Sequence, residues 1–216
     1  SLSKEANTIE KRNYHINHNI PFTKEDTTIQ LAEKICDLSV FSVISAKDNL
    51  NYDIIEKACE ILHTQENIDI YGTGLAAISA KNFSYKLNRL GYHAEILEEY
   101  ALQNERSLNT RKDRVSIIIS YSGMTPSMLR ICKKVKEKDG KVILITGNPY
   151  SEMVKYADFP IIIDSEENLR FEEKTDYFAS IYMLYYLFEM IFCIIFKMDY
   201  APNMEKMKES AKRQFE

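Results

Sequence analysis

The chain has 216 residues, of which 45% are hydrophobic and 28% charged, so neither a disordered chain nor a fibrous repeat is expected. Lys and Arg number 28 against 32 Asp and Glu, and a net charge of −4 disfavours a nucleic-acid-binding domain within it. There are 6 glycines, where average usage would give roughly 15. We therefore expect each glycine to lie where a side chain is not tolerated.

The cysteines are dispersed and form no C-x-x-C pair, a pattern typical of reduced thiols in a cytoplasmic protein: Cys36, Cys59, Cys132, Cys193. His15 and His18 have a spacing that some metals use, but two ligands are fewer than a zinc site needs. We predict no metal and no cofactor.

The N-terminal part is predicted to be a polar linker over residues 1–25, followed by a helical arm over 26–66. Apolar residues recur every three or four positions from Ile29 to Ile44, and Asp26 or Thr27 can cap this helix. Residues 51–62 repeat the pattern and predict a second helix.

From residue 67 onward, short apolar runs alternate with amphipathic segments. The runs predict strands at 68–72, 93–97, 114–120, 141–146 and 158–164, and the segments predict helices at 75–90, 125–138 and 151–156. Gly91 should end the first of these helices, and Gly140 should take the left-handed conformation after the second. We expect an α/β fold, a doubly wound five-stranded parallel sheet flanked by helices.

Residues 177–196 are apolar over twenty positions and contain one charge, Glu189. Their length would allow a membrane span, but a carboxylate inside the bilayer is costly and the tyrosines are not confined to two interfaces. We predict a helix buried by its own core and by a partner subunit, with no membrane partner. A polar tail over residues 201–216, helical at 203–214, follows.

A glycine-containing loop joins the first strand of the sheet to its helix, with the sequence Gly72-Thr73-Gly74-Leu75-Ala76-Ala77. The glycines allow close approach of a ligand to the backbone, and the helix N-terminus favours a phosphate. The same pattern could belong to a nicotinamide dinucleotide site, although Ala77 replaces the third glycine.

A hydroxyl-rich loop follows the third strand, with the sequence Ser120-Tyr121-Ser122-Gly123-Met124-Thr125. Hydroxyl groups and backbone N–H groups together can bind the oxygens of a phosphate. The alternative is that Thr125 simply caps the next helix and that Ser120 and Ser122 are incidental turn residues.

Together the two loops resemble those of the sugar isomerase (SIS) domain, whose most specific element is the S-x-S-G-x-T stretch at 120–125. Residues 19–35 resemble the linker and first helix of bacterial transcriptional regulators of the RpiR/MurR type. That resemblance implies an SIS domain over 67–200, which binds a phosphosugar. It also implies a helix-turn-helix domain upstream of Ser1, which would make any contact with DNA.

The resemblance assigns the phosphosugar site to both loops. It implies binding by Gly72, Thr73, Gly74, Ala76, Ser120, Tyr121, Ser122, Gly123 and Thr125. The family usually has Ser at the position of Ala76, and a Ser-Arg pair near Asp176-Tyr177. Weaker phosphate binding, a different effector and a vestigial site all remain open.

Isomerases of this family use a carboxylate base, and the candidates here are Glu172 or Glu173, with Glu98 and Glu99 as further possibilities. Glu172 and Glu173 lie in an acidic run that composition explains as solvated surface. No histidine lies in the two loops. We therefore expect a non-catalytic sensor that acts as a cytoplasmic homodimer or homotetramer, with a ketose/aldose phosphate isomerase as the alternative.

Overall fold

The computed structural model describes residues 17–163 and 178–213. It begins with two helices, α1 (Thr28–Asn49) and α2 (Tyr52–Thr64). At the start of α1, the Thr27 side chain accepts from the Gln30 amide, and the Gln30 side chain accepts from the Thr27 amide. This capping box confirms Thr27 as the cap, and at the start of α2 the Asn51 side chain accepts from the Ile54 backbone amide.

The centre of the molecule is a five-stranded parallel sheet with the strand order β2-β1-β3-β4-β5. Its strands are β1 (Asn67–Tyr71), β2 (His93–Leu97), β3 (Arg114–Ile119), β4 (Lys141–Thr146) and β5 (Phe159–Ile162). The register sets Ile70 between Ile96 and Ile117. The predicted doubly wound fold is confirmed.

Helices cover both faces of the sheet. They are α3 (Leu75–Arg89), α4 (Tyr100–Leu108), α5 (Pro126–Glu137), a 3-10 turn (Glu152–Tyr156), α6 (Ala179–Met198) and α7 (Tyr200–Arg213). Helices α2, α3 and α6 lie on one face, whereas α4, α5 and the 3-10 turn lie on the other. Alternate residues of one strand serve the two layers: Ile117 and Ile119 face the first, and Ile118 faces the second.

Helix α6 is long and apolar enough to cross a membrane by length and composition, yet it packs against α1, α2 and α3. Residues buried every three or four positions, from Met183 to Ile195, join the core. The Phe188 ring stacks on Phe83, with centroids 5.0 Å apart. Glu189, the carboxylate within this helix, forms an ion pair with Lys86 of α3.

The structure corrects the predicted secondary structure at two places. Helix α4 was not predicted. After α5 the residue with left-handed backbone is Asp139 (φ 56°), so the prediction for Gly140 was wrong. Gly140 is required for space instead, because a Cβ there would lie 2.7 Å from side-chain carbons of Thr110 and Val135.

The N-terminal arm is packed onto the sheet layer, since Leu50, Ile55 and Leu62 are buried in the same core as Ile117. The division into a linker (1–25), arm (26–66), SIS domain (67–200) and tail (201–216) stays a prediction.

Candidate functional site

A cleft opens at the carboxyl end of the sheet, with about 450 Å³ of empty space when the open solvent at its mouth is included. It lies where strand order reverses between β1 and β3, the position at which sheets of this type bind ligands. The lining residues are Thr73, Leu75, Ala76, Ile119, Ser120, Tyr121, Ser122, Thr125, Ser180, Ile181 and Leu184.

The first loop is held in place by hydrogen bonds from Gln103 of α4, a residue that does not line the cleft. This buried side chain donates from Nε2 to the carbonyl oxygens of Gly72 (2.9 Å) and Leu97 (2.6 Å), and so ties the ends of β1 and β2 together. Gly74 precedes α3 with φ 57°, a backbone conformation that favours glycine, and offers no side-chain cap. The first amides of α3 are therefore left without a side-chain acceptor at the cleft.

The second loop is anchored through three consecutive carbonyl groups to residues that follow β4. The Gly147 amide donates to Tyr121 O (2.8 Å), Asn148 Nδ2 to Ser122 O (3.1 Å), and Ser151 Oγ to Gly123 O (2.6 Å). The loop conformation is thus set by residues that follow the neighbouring strand.

Two glycines allow this close packing. Gly123 has φ 64°, and a Cβ on it would lie 2.6 Å from Ser151 Cβ. A Cβ on Gly147 would lie 2.6 Å from the Tyr121 ring. Tyr121 is 6% exposed, so its ring supports the loop from within, whereas Met124 is half exposed.

The hydroxyl groups of the second loop are close together. Ser120 Oγ donates to Thr125 Oγ1 at 3.1 Å, and Ser122 Oγ accepts from the Met124 amide at 3.2 Å. Thr125 occupies the N-cap position of α5, but its side chain makes no capping hydrogen bond. The alternative interpretation, in which the Thr125 side chain simply caps this helix, is therefore wrong.

One wall of the cleft comes from helix α6, through Ser180, Ile181 and Leu184. These residues were not among the predicted site residues. Their three- and four-residue spacing was visible in the sequence, but the same spacing describes any buried helix.

No Lys, Arg, His, Asp or Glu is found among the lining residues that the structure describes. The polar groups of the cleft are hydroxyls and the N-terminal ends of α3 and α5. Each helix end carries a partial positive charge equivalent to about half an elementary charge. Such a site can bind an oxyanion by hydrogen bonds and helix dipoles without a cationic side chain.

Of the carboxylates considered as bases, Glu98 and Glu99 are not among the lining residues of the cleft. Glu98 forms a surface ion pair with Lys81 (2.9 Å), and Glu99 precedes α4 as its N-cap residue. Glu172, Glu173 and the Asp176-Tyr177 pair lie outside the described residues.

The histidines and buried cysteines of the described residues are likewise not among the cleft-lining residues. His63 Nδ1 lies 3.2 Å from the Tyr92 hydroxyl, and His93 begins β2. Burial raises the pKa of the Cys59 and Cys132 thiols to about 12, so neither is a thiolate at neutral pH. Within residues 17–163 and 178–213, no three His, Cys, Asp or Glu side chains are grouped to hold a metal ion.

The sequence profile of the SIS domain family matches residues 61–189, more than half of the chain and both loops. An HTH-type transcriptional regulator of Caldanaerobacter subterraneus subsp. tengcongensis is 28% identical over 145 residues, which are 67% of this chain and 51% of that protein. An HTH-type regulator of Clostridium perfringens is 23% identical over 206 residues, 95% of this chain and 72% of that protein. The chain thus spans about half the length of the first relative.

Solved structures with the same fold include a protein complexed with a sugar phosphate, a domain of a transcription factor and a proposed enzyme. Vibrio vulnificus NanR in complex with ManNAc-6P has a TM-score of 0.78 at 17% identity, covering 88% of this chain and 69% of that one. The sugar isomerase domain of a Sphaerobacter thermophilus RpiR transcription factor has a TM-score of 0.74 at 15% identity, covering 85% of this chain and 99% of that one. A Methanococcus jannaschii protein inferred to be a 3-hexulose-6-phosphate isomerase has a TM-score of 0.64 at 20% identity, covering 80% of this chain and 95% of that one. At these identities the likeness concerns the fold.

Proposed function

This chain belongs to the SIS domain family, and we propose that it is the phosphosugar-sensing effector part of a bacterial RpiR-type transcriptional regulator in the cytoplasm. The observation that carries the proposal is the cleft between the two loops. Its hydroxyl groups and uncapped helix ends suit a phosphate, and it offers no charged side chain among its described lining residues.

The phosphate is assigned to the second loop. Thr125 receives a hydrogen bond from Ser120, so its own proton is available for a ligand oxygen, as is that of Ser122. Backbone amides that follow Pro126 at the start of α5 add further donors, because the Thr125 side chain does not cap them; Pro126 itself has no N–H. The first loop, from Gly72 to Ala76, forms the facing wall.

A sensor needs binding without turnover, and the described cleft lacks the groups that sugar isomerisation uses. Moving a proton between sugar carbons requires a base within hydrogen-bond reach of the carbon-bound proton. The relatives named as HTH-type regulators support the same choice. The second candidate is a ketose/aldose phosphate isomerase, favoured by the isomerase-like neighbour in Methanococcus jannaschii. It would have to use Glu172 or Glu173.

We propose that DNA is contacted only by a helix-turn-helix domain outside these 216 residues. The chain covers about half of the Caldanaerobacter regulator, whose name includes such a domain. Contact with DNA is thus proposed for the whole protein and not for this chain.

Signal transfer is assigned to helix α6. Its first turns line the cleft through Ser180 and Ile181, while Tyr185 farther along is 40% exposed. We propose that this outer face and helix α1, where Ile29 is 72% exposed, form the contacts of a homodimer or homotetramer. A ligand that touches α6 can then change the balance between two arrangements of the subunits, provided that its affinity for them differs.

The test combines binding and turnover on the same protein. Thermal unfolding with hexose 6-phosphates and pentose 5-phosphates should reveal stabilisation by at least one of them. The stabilisation should reach about 2.7 kcal/mol when the free ligand concentration is about 100 times its Kd. NMR in D₂O with that compound should reveal no exchange of the proton next to its carbonyl group. Exchange that is abolished by Glu172→Gln or Glu173→Gln would instead establish the isomerase.

A further inference from the structure

Strand β2 lies at one edge of the sheet, because the strand order is β2-β1-β3-β4-β5. An edge strand directs part of its backbone N–H and C=O groups away from the sheet, where they can pair with a strand of another molecule. The His93 amide donates to the Glu66 carbonyl directly before β1. Since the hydrogen-bonding groups of successive strand residues point to opposite sides, those of Ala94 are directed to the open side of the edge.

Ala94 is paired at this edge by a side chain in place of a strand. The Ala94 amide donates to Asn88 Oδ1 at 3.0 Å, and Asn88 Nδ2 donates to the Ala94 carbonyl oxygen at 2.8 Å. Ser84 Oγ, one turn earlier on α3, donates to the same carbonyl oxygen at 2.8 Å. A carboxamide carries an acceptor and donors as a peptide group does, so Asn88 makes both hydrogen bonds that a neighbouring strand would make at Ala94.

The same contact joins α3 to the sheet. Asn88 lies in the last turn of α3, the helix that packs along β2, and Ala94 is buried. The neighbouring Glu95 side chain is half exposed, and a charge on an edge strand opposes its pairing with a second molecule. The carboxamide of Asn88 and the charge of Glu95 thus act on the same edge.

We propose that Asn88 closes this edge of the sheet and keeps two copies of the chain from pairing through β2. Without the carboxamide, the Ala94 amide loses its acceptor among the described residues, and the Ala94 carbonyl keeps Ser84 alone. Strand β2 of a second copy offers the same two backbone groups in return, so two edges can pair about a two-fold axis. This role of Asn88 does not depend on the proposed function.

Two substitutions of Asn88 separate edge closure from a general loss of stability. Asn88→Ala leaves an uncharged, open edge, whereas Asn88→Asp keeps an acceptor for the Ala94 amide and adds a charge beside the edge. Asn88→Asp also places a negative charge at the C-terminal end of α3, where the helix dipole makes it unfavourable. We therefore expect Asn88→Asp to be no more stable than Asn88→Ala in urea denaturation, and yet to associate less.

Sedimentation velocity over a wide range of concentration measures the association. For Asn88→Ala we expect a mass that rises with concentration to at least about twice that of the unmodified 216-residue chain under the same conditions. Asn88→Asp should keep the mass of the unmodified chain. The matched control is Asn82→Ala, at an exposed position on the same helix, which should also leave the mass unchanged.

Hydrogen exchange locates the association. In the associated Asn88→Ala chain, the Ala94 amide should be at least about tenfold more protected than in the same variant at a concentration where it is dissociated. Protection that rises elsewhere and not at Ala94 would contradict pairing through β2.

Three outcomes would overturn the proposal while leaving the proposed function untouched. If folded Asn88→Ala keeps the mass of the unmodified chain at every concentration, Asn88 only joins α3 to β2. If Asn88→Asp associates as strongly as Asn88→Ala, partial unfolding is the cause. If Asn82→Ala associates as well, the effect does not belong to the edge. Should Asn88→Ala not fold, Asn88→Ser, which also lacks the carboxamide, is held to the same criteria.

Discussion

Ser120 Oγ donates a hydrogen bond to Thr125 Oγ1 across 3.1 Å, and thereby joins the first and last residues of the hydroxyl-rich loop. A hydroxyl has one proton and can accept as well. Once Ser120 has donated to Thr125, the Thr125 proton can point to a ligand. This arrangement of the pair suits an anion.

Replacing Thr125 by Val removes this donor and keeps the side-chain shape. A hydrogen bond to a charged group contributes about 1.5–3 kcal/mol, so affinity for N-acetylglucosamine 6-phosphate should fall about 10- to 100-fold by calorimetry. Thr125→Ser, which keeps the hydroxyl, should remain within a few-fold of the original affinity. Equal affinities for the Val and Ser variants would remove Thr125 from the phosphate site.

The position of Ala76 offers a gain of affinity. The family usually has Ser here, and Ala76 lines the cleft. We expect Ala76→Ser to add one hydrogen bond and to tighten glucose 6-phosphate binding about fivefold, equivalent to about 1 kcal/mol. The exposed Ala101→Ser on α4 serves as the control and should change nothing. A weaker or unchanged affinity in Ala76→Ser would indicate that the phosphate does not reach α3.

Two glycines with similar positive φ angles should differ in their tolerance of a methyl group. Gly123 (φ 64°) has no room, since a Cβ would lie 2.6 Å from Ser151 Cβ, whereas Gly74 (φ 57°) has no atom within 4 Å of that position. Gly74→Ala should cost about 1–3 kcal/mol of unfolding free energy through backbone strain alone, because its conformation (φ 57°, ψ −133°) is nearly restricted to glycine. Gly123→Ala should cost about 1–3 kcal/mol more by urea denaturation because of overpacking. Equal costs would contradict the described packing of the loop on Ser151.

Gln103 should be important for stability although it does not line the cleft. In Gln103→Leu the buried carbonyl groups of Gly72 and Leu97 lose their donor, and an unsatisfied buried polar group costs about 1–3 kcal/mol. We expect a loss of about 2 kcal/mol or more in urea denaturation. Leu102→Ala, on the exposed neighbour, should stay within about 0.5 kcal/mol. If Gln103→Leu also lost no more than about 0.5 kcal/mol of unfolding free energy, the two carbonyl groups would have to accept hydrogen bonds from other donors.

Asp158 should contribute stability that depends on pH. Partial burial raises its pKa, but hydrogen bonds from Lys136 Nζ and the Val142 amide, both at 2.9 Å, outweigh this, and its pKa is lowered overall. A lowered folded-state pKa gives stability that is present above the unfolded pKa of about 3.9 and is lost as pH falls through the folded value. Asp158→Asn should therefore destabilise the protein at pH 7, and the difference should shrink in urea denaturation at about pH 3. Asp48→Asn, in an exposed ion pair, is the control; a difference for Asp158→Asn that is independent of pH would contradict this account.

Much of the fold could be predicted because the strands of a parallel sheet are apolar on both faces. Runs such as Ile117, Ile118 and Ile119 are therefore distinct from the amphipathic helices between them. Helix α4 escaped prediction because it is short and polar, and its buried residues are Gln103 and Ser107, which leave no apolar period. At the end of α5 the left-handed position is taken by Asp139 and not by the glycine that follows it, although glycine is the residue usually found in this conformation.

The loops of the candidate site could be located because glycines and hydroxyls cluster there, in a chain that has few glycines. The supporting residues could not, since Gln103 reaches the first loop only through the packing of α4 on β2 and β1. The same holds for Ile181 and Leu184, whose apolar character equally fits a core helix.

The most direct test of phosphosugar binding at this cleft is a titration of the ¹⁵N-labelled chain with N-acetylglucosamine 6-phosphate, followed by amide chemical shifts. We predict saturable shifts concentrated at residues 72–76, 120–125 and 180–184, with the ligand chemically unchanged at the end. Shifts concentrated elsewhere on the sheet, or no saturable shift with this or any related sugar phosphate, would contradict it.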